Sequence, residues 1–129
     1  MLDNFDRFNS FHDWIFAGFW SDNRRSTVYL ELVSDNFKER KTIVFMDVTR
    51  CLVTDYGVEN IVYSLDILYD FDSPKFTAAR EILDKSTPFG SDLPPKKIAV
   101  LTASFGGEAW IEYSGYRVLS KDNTESLPD

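Results

Sequence analysis

A chain of 129 residues with 21 acidic and 14 basic side chains has a formal net charge of −7 and a pI near 4.6. That balance repels nucleic-acid phosphates and anionic membrane surfaces and favours a basic protein surface as partner. Hydrophobic residues make up 43% and aromatics 16%, which excludes a disordered composition, and the length fits one domain, residues 1–129, able to bury roughly two-thirds of its unfolded surface without disulfide or metal.

Cys51 is the one cysteine. It sits in a strand-like run, and a buried thiol acting as a small hydrophobe is the expectation. The N-terminus has no basic start followed by an apolar run, and no apolar window approaches the roughly 18 residues of a membrane span. The cytosol is the expected compartment.

In chain order, Leu2, Phe5 and Phe8 suggest at most a turn or two of helix, and residues 1–10 are expected to be peripheral. Phe11 to Trp20 is apolar at nearly every position, which fits a strand covered on both faces, with Gly18 marking a bulge or close approach. The polar link Ser21–Ser26 leads to Thr27–Val33, where Val28, Leu30 and Leu32 alternate with Tyr29 and Glu31, making a hairpin. After Ser34–Lys41, Thr42–Thr54 reads as one β-branched run interrupted by Asp47, whose carboxylate must reach solvent at a bulge or edge, or find a partner.

Glu59–Asp72 has the clearest two-residue period. Ile61, Tyr63, Leu65, Ile67 and Tyr69 fall on one side and Ser64, Asp66 and Asp70 on the other. The four strands to this point are expected to form a meander. Ser73-Pro74 is a cap followed by a favoured first helical residue, and Phe76, Ala79, Ile82 and Leu83 repeat at helical spacing, predicting a helix from Pro74 to Lys85. Ser86–Pro95 is a breaker-rich loop. Lys97–Phe105 and Glu108–Tyr113 make a second hairpin about Gly106-Gly107. Tyr116–Ser120 reads as a short last strand and 121–129 as a peripheral tail. The expected fold is α+β: a mainly antiparallel sheet of six or seven strands with one helix packed on it.

No catalytic constellation emerges. His12 is the one histidine, and its neighbour Asp13 would point to the opposite face of a strand, so neither a Ser-His-Asp nor a Cys-His scheme is supported. A single His and a single Cys exclude the common zinc patterns. Asp66, Asp70 and Asp72 with Asp47 or Asp55 are the only set dense enough for Mg²⁺, the basis of an alternative reading as a carboxylate-dependent hydrolase. Yet Asp66 and Asp70 on one extended strand lie roughly 13 Å apart. A second alternative, a small-ligand module, needs a cavity bordered by His12, Trp14 and Trp20. Trp110, between Glu108 and Glu112, has the position of an interface anchor.

Phe11-His12-Asp13 opening one strand and Glu59-Asn60-Ile61-Val62 opening a later one resemble a pattern in small bacterial α+β immunity proteins of polymorphic-toxin and contact-dependent growth-inhibition systems. The resemblance implies a cytosolic inhibitor that binds one cognate toxin domain, often a nuclease, and has no catalytic residues, metal or cofactor. The residues nominated for partner binding are Asp66, Asp70, Asp72, Glu108, Trp110 and Glu112, since carboxylates complementary to a basic protein speed encounter and supply charged contacts.

Overall fold

The computed structural model describes residues 11–122. They form eight strands and one helix: β1 Ile15–Asp22, β2 Thr27–Val33, β3 Glu39–Met46, β4 Arg50–Thr54, β5 Ile61–Leu68, α1 Pro74–Ser86, β6 Lys97–Phe105, β7 Glu108–Tyr113 and β8 Gly115–Asp122. All pairings are antiparallel, in the order β4-β7-β6-β5-β1-β2-β3-β8. The α+β expectation holds, with eight strands in place of six or seven.

The extra strand comes from Asp47. Its backbone turns to a positive φ of 55° and breaks the Thr42–Thr54 run into β3 and β4. The carboxylate is exposed and partnered, as its position requires: Oδ2 accepts from Ser114 Oγ at 2.7 Å and from Lys96 Nζ at 3.2 Å. The hydrogen bond from Ser114, then the bond and charge of Lys96, hold this carboxyl below the usual range. Opposite the break, Ser114 separates β7 from β8. Ser114 N donates to Met46 O at 3.1 Å and Thr49 N to Glu112 O at 2.9 Å, so both broken strands turn the corner together. The Phe45 ring of β3 meets the Tyr113 ring of β7 at 4.9 Å across the folded sheet.

Alternation along the strands then sorts side chains into two cores. Val28, Leu30, Leu32, Ile43, Phe45, Val62, Leu65, Ala99, Leu101, Ala109, Ile111 and Tyr113 fill the concave side with Phe11 and Phe16. On the convex side Phe76, Ala79 and Leu83 of α1 bury Ile98, with Leu52, Leu68, Val100 and Trp110 packed around them. Helix α1 begins as its cap predicts, Ser73 Oγ accepting from Phe76 N at 3.1 Å.

Several expectations are corrected. The meander stops after β1-β2-β3, and β5 returns to pair with β1 on one side and β6 on the other. The Phe11–Trp20 run becomes a strand only at Ile15, and a bulge between Phe16 and Gly18 leaves Phe19 and Trp20 exposed instead of covered. The last strand is longer than Tyr116–Ser120 and takes in residues 121 and 122 of the presumed tail. Residues 1–10 and 123–129, the rest of the expected periphery, lie outside the described residues. Cys51, expected to be buried, is exposed on β4, which among the described residues pairs with β7 alone.

Asn60 staples the loop after β4 to the β6–β7 turn. Its Oδ1 accepts from Gly57 N at 2.9 Å and Gly107 N at 2.8 Å, while Nδ2 donates to Gly57 O at 2.9 Å. Gly106 has φ +86°, and a Cβ there would run into the Glu59 carbonyl and Asn60. Asn60→Ala strands the buried Gly107 N–H and Gly106→Ala meets both a strained φ and a clash. Each is expected to cost about 1–3 kcal/mol in urea denaturation, whereas Gly18→Ala, where nothing lies near the added carbon, provides the mild control.

Candidate functional site

The six nominated residues divide into two groups. Glu108, Trp110 and Glu112 alternate along β7 on the convex face, the face that α1 covers. Glu112 is buried, and Trp110 is half-buried in the core beneath the helix. Glu108 is half-buried, and its Oε2 accepts from Ala103 N at 3.0 Å, bracing the β6–β7 hairpin. Glu112 as a charge free to meet a partner is therefore corrected, because it is buried and paired within the protein, while Trp110 keeps part of its surface exposed beside the helix.

Glu112 belongs to an ion network that sequence reasoning missed. Arg50 lies directly opposite it on β4. The guanidinium donates from Nε to Glu112 Oε1 and from Nη2 to Oε2, both at 2.9 Å, while Nη1 reaches Asp84 Oδ1 at 2.7 Å and the Thr87 carbonyl at 3.1 Å. Thr49 Oγ1 donates to Glu112 Oε1 at 2.6 Å. A fork of donors between a strand carboxylate and the last turn of α1 thus ties the helix to the sheet. Burial alone would raise the Glu112 carboxyl, but hydrogen bonds from Arg50 and Thr49 and the charge of Arg50 hold it below the ordinary range. An arginine inside the apolar run Thr42–Thr54 was the available signal, because a cation on a covered strand requires an acid opposite it.

Asp66, Asp70 and Asp72 remain at the surface on β5 and the connector to α1. Ser64 Oγ donates to Asp66 Oδ2 at 2.9 Å and lies 2.9 Å from Thr102 Oγ1, so with the Ser64 proton committed to Asp66, Thr102 is the donor to Ser64. Asp70 Oδ1 accepts from Asp72 N at 3.1 Å and Asp70 O from Ser73 N at 3.0 Å, a turn that delivers the chain to the helix cap.

Aromatic rings interleave with these carboxylates. Register shifts on either side of Val62 break the expected alternation, so Val62 and Leu65 share the concave core while Tyr63 is 58% exposed. Tyr69, also expected on the core side, lies past the end of β5 and is 64% exposed, and Phe71 is 41% exposed. Tyr63 is held from beneath: its carbonyl lies 2.8 Å from His12 Nδ1, and the two rings meet edge to face at 5.5 Å. The Nδ1–H is thereby directed to a backbone oxygen, and His12 acts here as a brace.

The residues named for the two alternative readings are placed as follows. Among the described residues no three His, Cys, Asp or Glu side chains converge as a metal site would need, so the Asp66, Asp70, Asp72, Asp47 and Asp55 set stays dispersed. The rings proposed to border a ligand cavity are engaged elsewhere: Trp14 packs edge-on to buried Phe11 at 4.9 Å, and Trp20 stacks on Tyr29 at 4.7 Å. No described helix is long and apolar enough to cross a membrane. Compared with protein-family models, curated proteins and solved structures, the chain matches none.

Removing Arg50 leaves Glu112 buried without its cation. Arg50→Met is expected to cost about 3–5 kcal/mol in urea denaturation, and the double variant Arg50→Met/Glu112→Leu to regain most of it. The pH dependence follows from the depressed Glu112 pKa. Its contribution is fully present above the ordinary value of 4.5 and is lost as pH falls through the lower folded-state value. Wild-type stability is therefore expected to drop below that range more steeply than that of the double variant.

Proposed function

We propose that this protein is a non-enzymatic binding protein that acts in the cytoplasm and neutralises a cognate bacterial toxin domain by direct contact with a basic surface. The observation that carries this reading is the set of exposed side chains between Tyr63 and Asp72, where the rings of Tyr63, Tyr69 and Phe71 interleave with the carboxylates of Asp66, Asp70 and Asp72 on a supported backbone. Large rings with few rotatable bonds are effective contact anchors at small entropic cost, and carboxylates beside them select a cationic partner and speed its approach. The net charge of −7 extends that attraction over the whole molecule.

This set also has the support that recognition requires. Asp66 is oriented by Ser64 and Thr102 from the neighbouring strand, and Asp70 by the turn into α1. Neither group has a described cationic partner within the protein, so each meets an incoming Lys or Arg without first breaking an ion pair.

Co-expression with the toxin domain encoded beside it is expected to yield a complex that survives purification and to restore growth. Charge reversal by Asp66→Lys with Asp70→Lys is expected to weaken the complex roughly 100-fold in titration calorimetry, with circular dichroism unchanged. Absence of both complex and rescue overturns the reading.

A further inference from the structure

That set leaves unexplained the most exposed apolar side chains near the start of β5. Val58 is fully exposed and Phe105 is 58% exposed, although both lie near the glycines that Asn60 fastens. With Asp55, Gly57, Glu59 and Gly106 they line an open depression of about 520 Å³ between the loop after β4 and the β6–β7 turn. Its two sides are joined by the buried Asn60, which bonds Gly57 on one and Gly107 on the other. The depression is a built surface, held in shape before anything enters it.

Its chemistry is mixed in a specific way. Val58 and Phe105 supply apolar walls, and Asp55 and Glu59 carry two negative charges that no described cation neutralises. A purely apolar guest would leave both carboxylates facing a desolvated surface, and a small cation would leave the walls wet. Lysine and arginine satisfy both demands, since their methylene stems cover apolar surface while the charged head stays at the rim. Arginine fits better: its planar fork can bind a carboxylate through two hydrogen bonds, and its face stacks on an aromatic ring such as Phe105.

We propose that this depression is a receptor for an arginine presented by a loop of the basic protein partner. This rests on the reading of the chain as a binder of such a partner and assigns to it a second contact, continuous with the first along β5, because Phe105 lies directly opposite Ile61 in the sheet.

The test uses the whole protein, labelled with ¹⁵N, and the blocked tripeptide Gly-Arg-Gly as probe. Amide shifts are expected at residues 55–59 and 105–107, and the affinity is expected to fall severalfold between about 50 mM and about 500 mM salt. The citrulline analogue, with the same shape and no charge, and the norleucine analogue, with the stem alone, should each bind several times more weakly. Asp55→Asn/Glu59→Gln, at surface positions, should remove the salt-dependent part, and Phe105→Ser the stem contribution. Shifts scattered over the acidic surface, or equal response to arginine and citrulline, overturn the receptor. Neither result touches the toxin-binding reading, which stands or falls on co-purification.

Discussion

A guanidinium with no exposed side-chain surface is the constraint around which the convex half of this protein is arranged. Placing Arg50 on a covered strand is unfavourable unless every donor is met. The fold meets them by setting Glu112 directly across the ladder and by bringing the end of α1 over the pair. The position of the helix follows: Asp84 and the Thr87 carbonyl must lie above β4, and Phe76, Ala79 and Leu83 then fall on Ile98 and its neighbours. Polar geometry fixes where the helix sits, and apolar contact stabilises it there. A buried ion pair contributes little net stability relative to a hydrophobic replacement, so its clearest physical effect is on which arrangement is allowed.

A second polar device shapes the concave half. Asp47 and Ser114 face one another where β3 passes into β4 and β7 into β8, and their hydrogen bond, with Lys96, lets two adjacent strands turn together. The sheet folds over at that corner, so Phe45 and Tyr113 meet in one core. Asn60 does the same work near the start of β5 by substituting for backbone partners in two loops at once. Three short-range polar arrangements thus set the outline, and the hydrophobic effect fills it.

The character of the surface follows from what these devices leave outside. Carboxylates on β7 are absorbed into hairpin and helix contacts, whereas those following Tyr63 stay in solvent among exposed rings. The acidic character of the chain therefore has two physical origins. Part of it is internal, compensating Arg50 and shaping turns, and part is a surface on which a cationic partner would find supported charge and aromatic area together.

The elements were largely legible in the sequence, because local chemistry determines them. Period-two alternation marks β2, β6 and β7, the Ser73-Pro74 cap and the spacing of Phe76, Ala79 and Leu83 mark α1, and Gly106-Gly107 marks a hairpin turn. The demand that Asp47 find solvent or a partner was equally readable, since a carboxylate's hydration requirement does not depend on the fold. The tertiary structure alone decided how β4, β5 and β8 find their partners, that Tyr63 and Tyr69 face outward, and that Trp110 and Glu112 lie beneath a helix. Each of these depends on residues far apart in the chain: β5 chooses β1 and β6 as partners, a bulge resets its alternation, and Arg50 claims an acid 62 positions away. Periodicity tells a side chain which neighbours share its face, but only packing decides whether that face meets water, a core or a helix.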